Sequence, residues 1–169
     1  MAQITLKGNP IHTVGELPKV GAKAPEFHLT GTDLADCKLS GFAGKTVVLS
    51  IFPSCDTPVC AASIRKFNEA AGQLGETVIV NASLDLPFAH KRFCESEGLK
   101  HVRNASAFRS PNFGRDYGIT ITDGALAGLF GRAVLVIDPK GVVTYSELVP
   151  EIAQEPNYDA VLSAIAQHA

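Results

Sequence analysis

The 169-residue sequence has no C-x-x-C pair, no internal repeat, no low-complexity tract and no charged tail. Nothing in it approaches the roughly 18 uninterrupted apolar residues of a membrane span. Lysine and arginine total 15 against 17 acidic residues, a net charge of −2, so the clustered cations that bind phosphate backbones are missing. The opening "MAQITLKGNP" lacks a charged start followed by an apolar core, the mark of a secretory signal. These absences lead us to expect a cytoplasmic protein with neither nucleic-acid nor membrane partners. The five histidines, at 12, 28, 90, 101 and 168, show no metal-ligand spacing. His90 and Cys94 share a helix face, but structural zinc sites favour paired ligands, so no metal and no cofactor is expected.

Four cysteines are present, Cys37, Cys55, Cys60 and Cys94, and their gaps do not repeat as a small disulfide scaffold would. With 46% hydrophobic residues the chain can build one core without staples, so residues 1–169 are expected to form a single domain. In a reducing compartment each cysteine is either a buried hydrophobe or a reactive group.

Residues 4–14, "ITLKGNPIHTV", alternate around Gly8-Asn9-Pro10 and predict an N-terminal β-hairpin. A short strand is expected near Phe27–Leu29, and residues 32–45 predict a strand and turn. "TVVLSIF" (46–52) and "ETVIVNASL" (76–84) are apolar, β-branched runs of strands buried on both faces. Helices are predicted from about Pro58 to Gly72, over 87–98 and over 157–169. Residues 133–149 predict a strand, a Pro-Lys-Gly turn and a second strand, and 107–131 an extended glycine-rich loop. The alternation describes an α/β domain with a central mixed sheet flanked by helices. Ligands in such sheets gather beyond the carboxyl ends of strands, where residues 53–60 fall.

In that stretch, "PSCDTPVC", Thr57 is a favoured N-cap and Pro58 a favoured first helical residue. Cys60 then occupies the first turn, where unpaired N–H groups and the helix dipole favour a thiolate. The alternative is a helix cysteine packed on the sheet. Cys55 precedes the cap and receives less of this field; filling loop space is its simpler role. Cys37 reads as structural. Arg132, at the mouth of the apolar run "AVLVID", is either solvated or turned inward to a partner. Cys94 on the helix 87–98 could equally pack inward beside Phe88 and Phe93.

The residues Pro53, Thr57 and Cys60 fit P-x-x-x-[TS]-x-x-C and resemble the peroxidatic signature of peroxiredoxins. "FAGKTVVLSIFPS", "VCAASIRKFN", "DLPFAHKRFC", "RAVLVID" and "EPNYDA" extend the similarity to the atypical two-cysteine thiol peroxidase subfamily. The resemblance implies a thioredoxin-like fold and a thiol peroxidase reducing hydrogen peroxide and alkyl or lipid hydroperoxides. It assigns Cys60 as peroxidatic and Cys94 as resolving cysteine, joined in an intramolecular disulfide that a thioredoxin reduces. Pro53 shields the sulfur, Thr57 contacts the reacting oxygens and Arg132 stabilises the developing charge. A homodimer is also implied. Phe113, Leu126 and Phe130 would suit bulky hydroperoxides. Bonding Cys60 to Cys94 requires Cα atoms within about 7 Å, so local unwinding is expected, with Pro53, Pro58 and Pro87 as hinges. Cys55 departs from the aliphatic residue usual there.

Two other classes share a reactive thiol. A dithiol oxidoreductase would want C-x-x-C at the helix start, and a redox sensor or metal module would oxidise and then wait for a partner. Turnover of peroxide with thioredoxin separates the peroxidase from both.

Overall fold

The computed structural model describes residues 1–71 and 74–167. The expected helix end at Gly72, and His168, lie outside them. The predicted hairpin forms from β1 (Gln3–Leu6) and β2 (Asn9–His12), with Gly8 at φ +83° in the turn. The remaining elements are β3 (His28–Gly31), β4 (Asp36–Lys38), β5 (Val47–Ile51), α1 (Pro58–Ala71), β6 (Val78–Ser83), α2 (Pro87–Glu97), β7 (Arg103–Ser106), α3 (Phe113–Asp116), β8 (Ala133–Ile137), β9 (Val143–Leu148) and α4 (Tyr158–Gln167).

Seven strands make one mixed sheet in the order β4-β3-β7-β6-β5-β8-β9. Strands β5, β6 and β7 run parallel, joined through α1 and α2, and the flanking pairs are antiparallel. Strands β5 and β8 are buried along their whole length, which explains their unbroken apolar sequences. Alternate side chains serve opposite faces. Val47, Leu49, Ile51, Leu135 and Ile137 join Phe27, Phe113 and Tyr117 on one side. Val48, Val134 and Val136 meet Phe67 of α1 and Val161 and Ile165 of α4 on the other. The Phe67 and Tyr158 rings cross edge-to-face at 5.3 Å and tie the two helices together.

Strand β7 has no counterpart in the sequence reading. Its residues, Arg-Asn-Ala-Ser, carry no apolar run, yet Asn104, Ala105 and Ser106 are buried between β6 and β3. Residues 107–131 also hold more order than an extended loop. They include α3, and bridges link Thr120 to Phe130 and Thr13 to Ile121. Phe113 and Phe130 lie in the main core 5.5 Å apart, and Leu126 packs against the hairpin cluster of Ile4, Ile11, Ile121 and Ile152. The expectation of a bulky-substrate surface is therefore corrected for Phe113 and Phe130, whose side chains are spent on the core, while Leu126 is only partly buried. No helix is long and apolar enough to cross a membrane among the described residues.

The hairpin is anchored far along the chain. The Thr5 N–H donates to the Pro150 carbonyl at 2.8 Å, and the Ile152 N–H to the Thr5 carbonyl at 2.9 Å. Glu151 accepts from the Thr5 hydroxyl and from the Lys7 and Gly8 N–H groups. Those bonds hold its carboxyl low, at about 2.

Candidate active site

The loop 52–57 leaves the end of β5 and turns into α1. The Thr57 hydroxyl and N–H both donate to the Ser54 carbonyl, at 2.9 and 3.2 Å, which closes the turn just ahead of Pro58. The Thr57 carbonyl accepts from the Ala61 N–H, the first helical bond. Cys60 thus sits in the first turn of α1, fully buried with Phe52, Cys55 and Ile64. Pro53 is buried at the loop entrance and Thr57 is half-buried.

Arg132 enters from the residue preceding β8 and is only 3% exposed. Its Nη1 donates to the Cys60 sulfur at 3.2 Å, and its Nε donates to the Ile152 carbonyl at 2.9 Å. Among the described residues no carboxylate forms an ion pair with it. A buried guanidinium without a counter-ion is costly. The buried Cys60 sulfur is the acceptor that this guanidinium meets.

Cys94 lies in the last turn of α2. That helix ends where expected, at Gly98, whose φ of +65° is the left-handed conformation glycine adopts without strain. Leu99 N–H returns to the Cys94 carbonyl at 2.9 Å. The thiol is half-buried, and burial, reinforced by Glu95, pushes it up to about 11. All four cysteines are free. The structure thus brings Cys60, Arg132 and Thr57 into one neighbourhood but leaves Cys60 and Cys94 unbonded. Cys94 instead lines a cavity of about 480 Å³ that it shares with Cys37, Phe42 and Arg103. Cys37 itself is buried on β4, and burial raises its thiol.

Beneath the loop lies a polar cluster that the sequence reading missed. Asp85, between β6 and α2, accepts from the Ser54 hydroxyl (2.8 Å), the Cys55 N–H (2.8 Å) and the Ser83 hydroxyl (2.5 Å). Burial pushes its carboxyl up, but these hydrogen bonds outweigh burial and hold it below the ordinary range. Having given its proton to Asp85, Ser83 accepts from His90 Nε2 at 3.0 Å. His90 Nδ1 in turn accepts from the Asn104 amide at 3.2 Å, and Asn104 Oδ1 accepts from Asn81 at 3.0 Å. These roles suit a neutral imidazole. Burial lowers the His90 pKa, although Asp85 and Asp56 oppose that. Among the described residues the Asn81 Oδ1 has no hydrogen-bond partner. A sequence signal existed, since Ser83-x-Asp85 directly precedes a Leu-Pro helix start.

The same cluster gathers donor atoms of Cys55, Asp85 and His90 within 4.8 Å of one another. His90 therefore groups with Cys55 rather than with the Cys94 considered from spacing. These three could hold a cation only by giving up the hydrogen bonds just described. Burial, then the charges of Asp85 and Asp56, push the Cys55 thiol up to about 12.

Comparison with known proteins places these features in a family. The Redoxin family model matches residues 19–162. The chain is 61% identical to a thiol peroxidase of Mycobacterium tuberculosis, over 98% of this chain and 99% of that one. It is 50% identical to a thiol peroxidase of Corynebacterium glutamicum over the same shares. The crystal structure of a peroxiredoxin-like protein from Aquifex aeolicus superposes with a TM-score of 0.95 at 42% identity, covering 100% of this chain and 98% of that one. The thioredoxin-like architecture and the N-terminal hairpin are thereby shared with solved peroxiredoxin relatives. The chain belongs to the Redoxin family, within its bacterial thiol peroxidases, and is a peroxiredoxin-type peroxidase.

Proposed function

We propose that Cys60 is the peroxidatic cysteine and Cys94 its resolving partner in an intramolecular, thioredoxin-dependent cycle. The observation that carries this is the buried Arg132 guanidinium on the Cys60 sulfur at 3.2 Å. The Cys60 thiolate attacks the terminal oxygen of a hydroperoxide. The O–O bond breaks, the sulfur becomes a sulfenic acid, and the leaving alkoxide or hydroxide takes up a proton. Arg132 donates to the anion at both ends of this transfer. Thr57, its hydroxyl proton held by Ser54, presents an oxygen lone pair to the incoming peroxide proton, and Pro53 keeps water from the sulfur.

Cys94 then condenses with the sulfenic acid, forming the disulfide and releasing water. Its half-buried, protonated state makes it inactive until its segment opens, which supports a local unfolding step before condensation. A thioredoxin-type dithiol returns both cysteines to thiols by exchange. Substrates on this reading are hydrogen peroxide and organic hydroperoxides. Leu86 and Phe88, exposed beside Asp85, supply apolar surface for an alkyl chain or for a second copy in a homodimer. The compartment is the cytoplasm.

The test treats reduced protein with slightly less than one equivalent of peroxide, blocks free thiols, digests with trypsin and fragments linked peptides by mass spectrometry. Cys55 and Cys60 share the tryptic peptide 46–65, so fragmentation is required to tell them apart. A Cys60–Cys94 bond is expected. A Cys55–Cys60 bond, or none involving Cys94, overturns the assignment.

A further inference from the structure

The loop that leads into the Cys60 helix and the helix that bears Cys94 are held by one carboxylate. Asp85 takes the Ser54 hydroxyl and the Cys55 N–H from the loop, and the Ser83 hydroxyl from β6. Ser83 passes the connection to His90, one helical turn before Cys94 on α2. His90 is anchored to the sheet by Asn104, and Asn104 by Asn81. Every link except Ser54 and Asp85 is at least nine-tenths buried, so water does not substitute for the partners. Two prolines, Pro58 and Pro87, begin the helices on either side.

We infer that Asp85 is a positioning residue for the peroxidase cycle, a latch that holds the Cys60 loop and the Cys94 helix in the reduced arrangement and releases the loop when the disulfide forms. This rests on the reading of Cys94 as the resolving cysteine. The thiols are free in the reduced arrangement, and Phe93 and Leu99, which flank Cys94, already pack on the Cys60 cluster. Cys94 lines a cavity that the buried Cys60 does not share, so linking the sulfurs displaces at least one segment. The bonds from Ser54 and the Cys55 N–H fasten the loop before Cys60 to Asp85, beside the Arg132 bond to the sulfur and the Phe52 N–H bond to the Ala82 carbonyl. Hydrogen bonds to a charged acceptor are among the stronger ones, so they favour the dithiol over the disulfide.

Condensation itself balances without Asp85. The Cys94 S–H proton and the sulfenic hydroxyl leave as water, and the S–S bond forms. The latch sets how far that product is favoured over the dithiol when a reductant is present.

The experiment equilibrates full-length wild type, Asp85→Asn and Ser54→Ala with mixtures of reduced and oxidised dithiothreitol. After acid quench and alkylation, mass spectrometry counts the Cys60–Cys94 disulfide. Asp85→Asn is expected to shift the equilibrium about tenfold towards the disulfide, a potential about 30 mV lower for this two-electron couple. Ser54→Ala, which removes one donor and leaves the carboxylate, is expected to shift it the same way by about threefold. With excess peroxide, both variants should accumulate less Cys60 sulfinic acid. A merely structural loss would lower the melting temperature of both redox forms and leave this equilibrium unmoved. Should Asp85→Asn not fold, Ser54→Ala carries the test alone. A wild-type disulfide with an unshifted or oppositely shifted equilibrium in the variants overturns the latch alone. Failure of the wild type to form a Cys60–Cys94 bond overturns the resolving assignment and the latch with it.

Discussion

Replacing Arg132 by glutamine is the sharpest perturbation of the proposed chemistry. The guanidinium and the Cys60 sulfur are 3.2 Å apart and both are buried. With an effective dielectric of about 20, opposite unit charges at that separation attract by about 5 kcal/mol. That is an upper bound, because the variant side chain still supplies a neutral amide donor. Loss of one preorganised donor to a developing anion costs about 2.7–4 kcal/mol in other enzymes. At about 1.4 kcal/mol per decade of rate, Arg132→Gln should lower kcat/KM for peroxide by about 10²–10⁴. Arg132→Lys keeps the charge but not the fixed geometry given by the Nε bond to Ile152, and should fall between. The assay follows peroxide consumption at limiting peroxide with dithiothreitol as reductant. Circular dichroism checks that each variant is folded. A folded Arg132→Gln protein within about fivefold of wild type would refute the argument that this guanidinium is the counter-ion of the reacting sulfur.

Other outcomes follow from the same geometry. Cys94→Ser should abolish the intramolecular disulfide and thioredoxin-dependent turnover while a first equivalent of peroxide is still consumed, measured by single-turnover kinetics. Cys55→Val should keep peroxide turnover within about twofold, since that thiol is pushed up to about 12 and contributes only packing volume; a tenfold loss would give Cys55 a chemical role. Stability should fall as pH drops. The pKa of His90 is lowered in the folded state, so the unfolded chain binds a proton first, below about 6.5. The contribution of neutral His90 is full above that pH and is lost as pH falls towards the folded pKa. His90→Gln should flatten the melting temperature between pH 7 and 5, and an unchanged slope would contradict this. Gly118→Ala should cost about 3 kcal/mol in urea unfolding. Its φ is +70°, and an added Cβ would lie 2.3 Å from the Glu16 carbonyl oxygen.

The elements that lead to the site were legible because short-range physics fixes them. The run 46–52 can only be a buried strand, and Thr57-Pro58 marks the helix start that places Cys60 in a first turn. What was not legible depends on partners distant in sequence. Strand β7 is polar, and Asn104 is tolerable inside the sheet only because Asn81 and His90 meet it there. For the same reason the Asp85 cluster was only half legible: Ser83-x-Asp85 ahead of a Leu-Pro helix start is a local signal, but no local pattern tells that the carboxylate will accept from a loop thirty residues earlier. The direction of Arg132 stayed open until the fold closed over it. Phe113 and Phe130 were misread as substrate surface because a glycine-rich stretch suggested an open loop, whereas its bridges fold it onto the core.

The anchoring of the hairpin has a consequence for biosynthesis. Ile152 orients Arg132 through its carbonyl, and its own N–H is bound by Thr5. Thr5 meets the neighbouring Pro150 across 145 positions of chain. Translation at about 5–20 residues per second separates the two partners by roughly 7–30 s. During that interval the hairpin lacks this anchor, and Arg132, once made, is still 20 positions ahead of the Ile152 carbonyl that braces it. On the proposed roles, competence towards peroxide is thus among the last properties the growing chain acquires, and Cys60 is made well before the guanidinium proposed to assist it is braced.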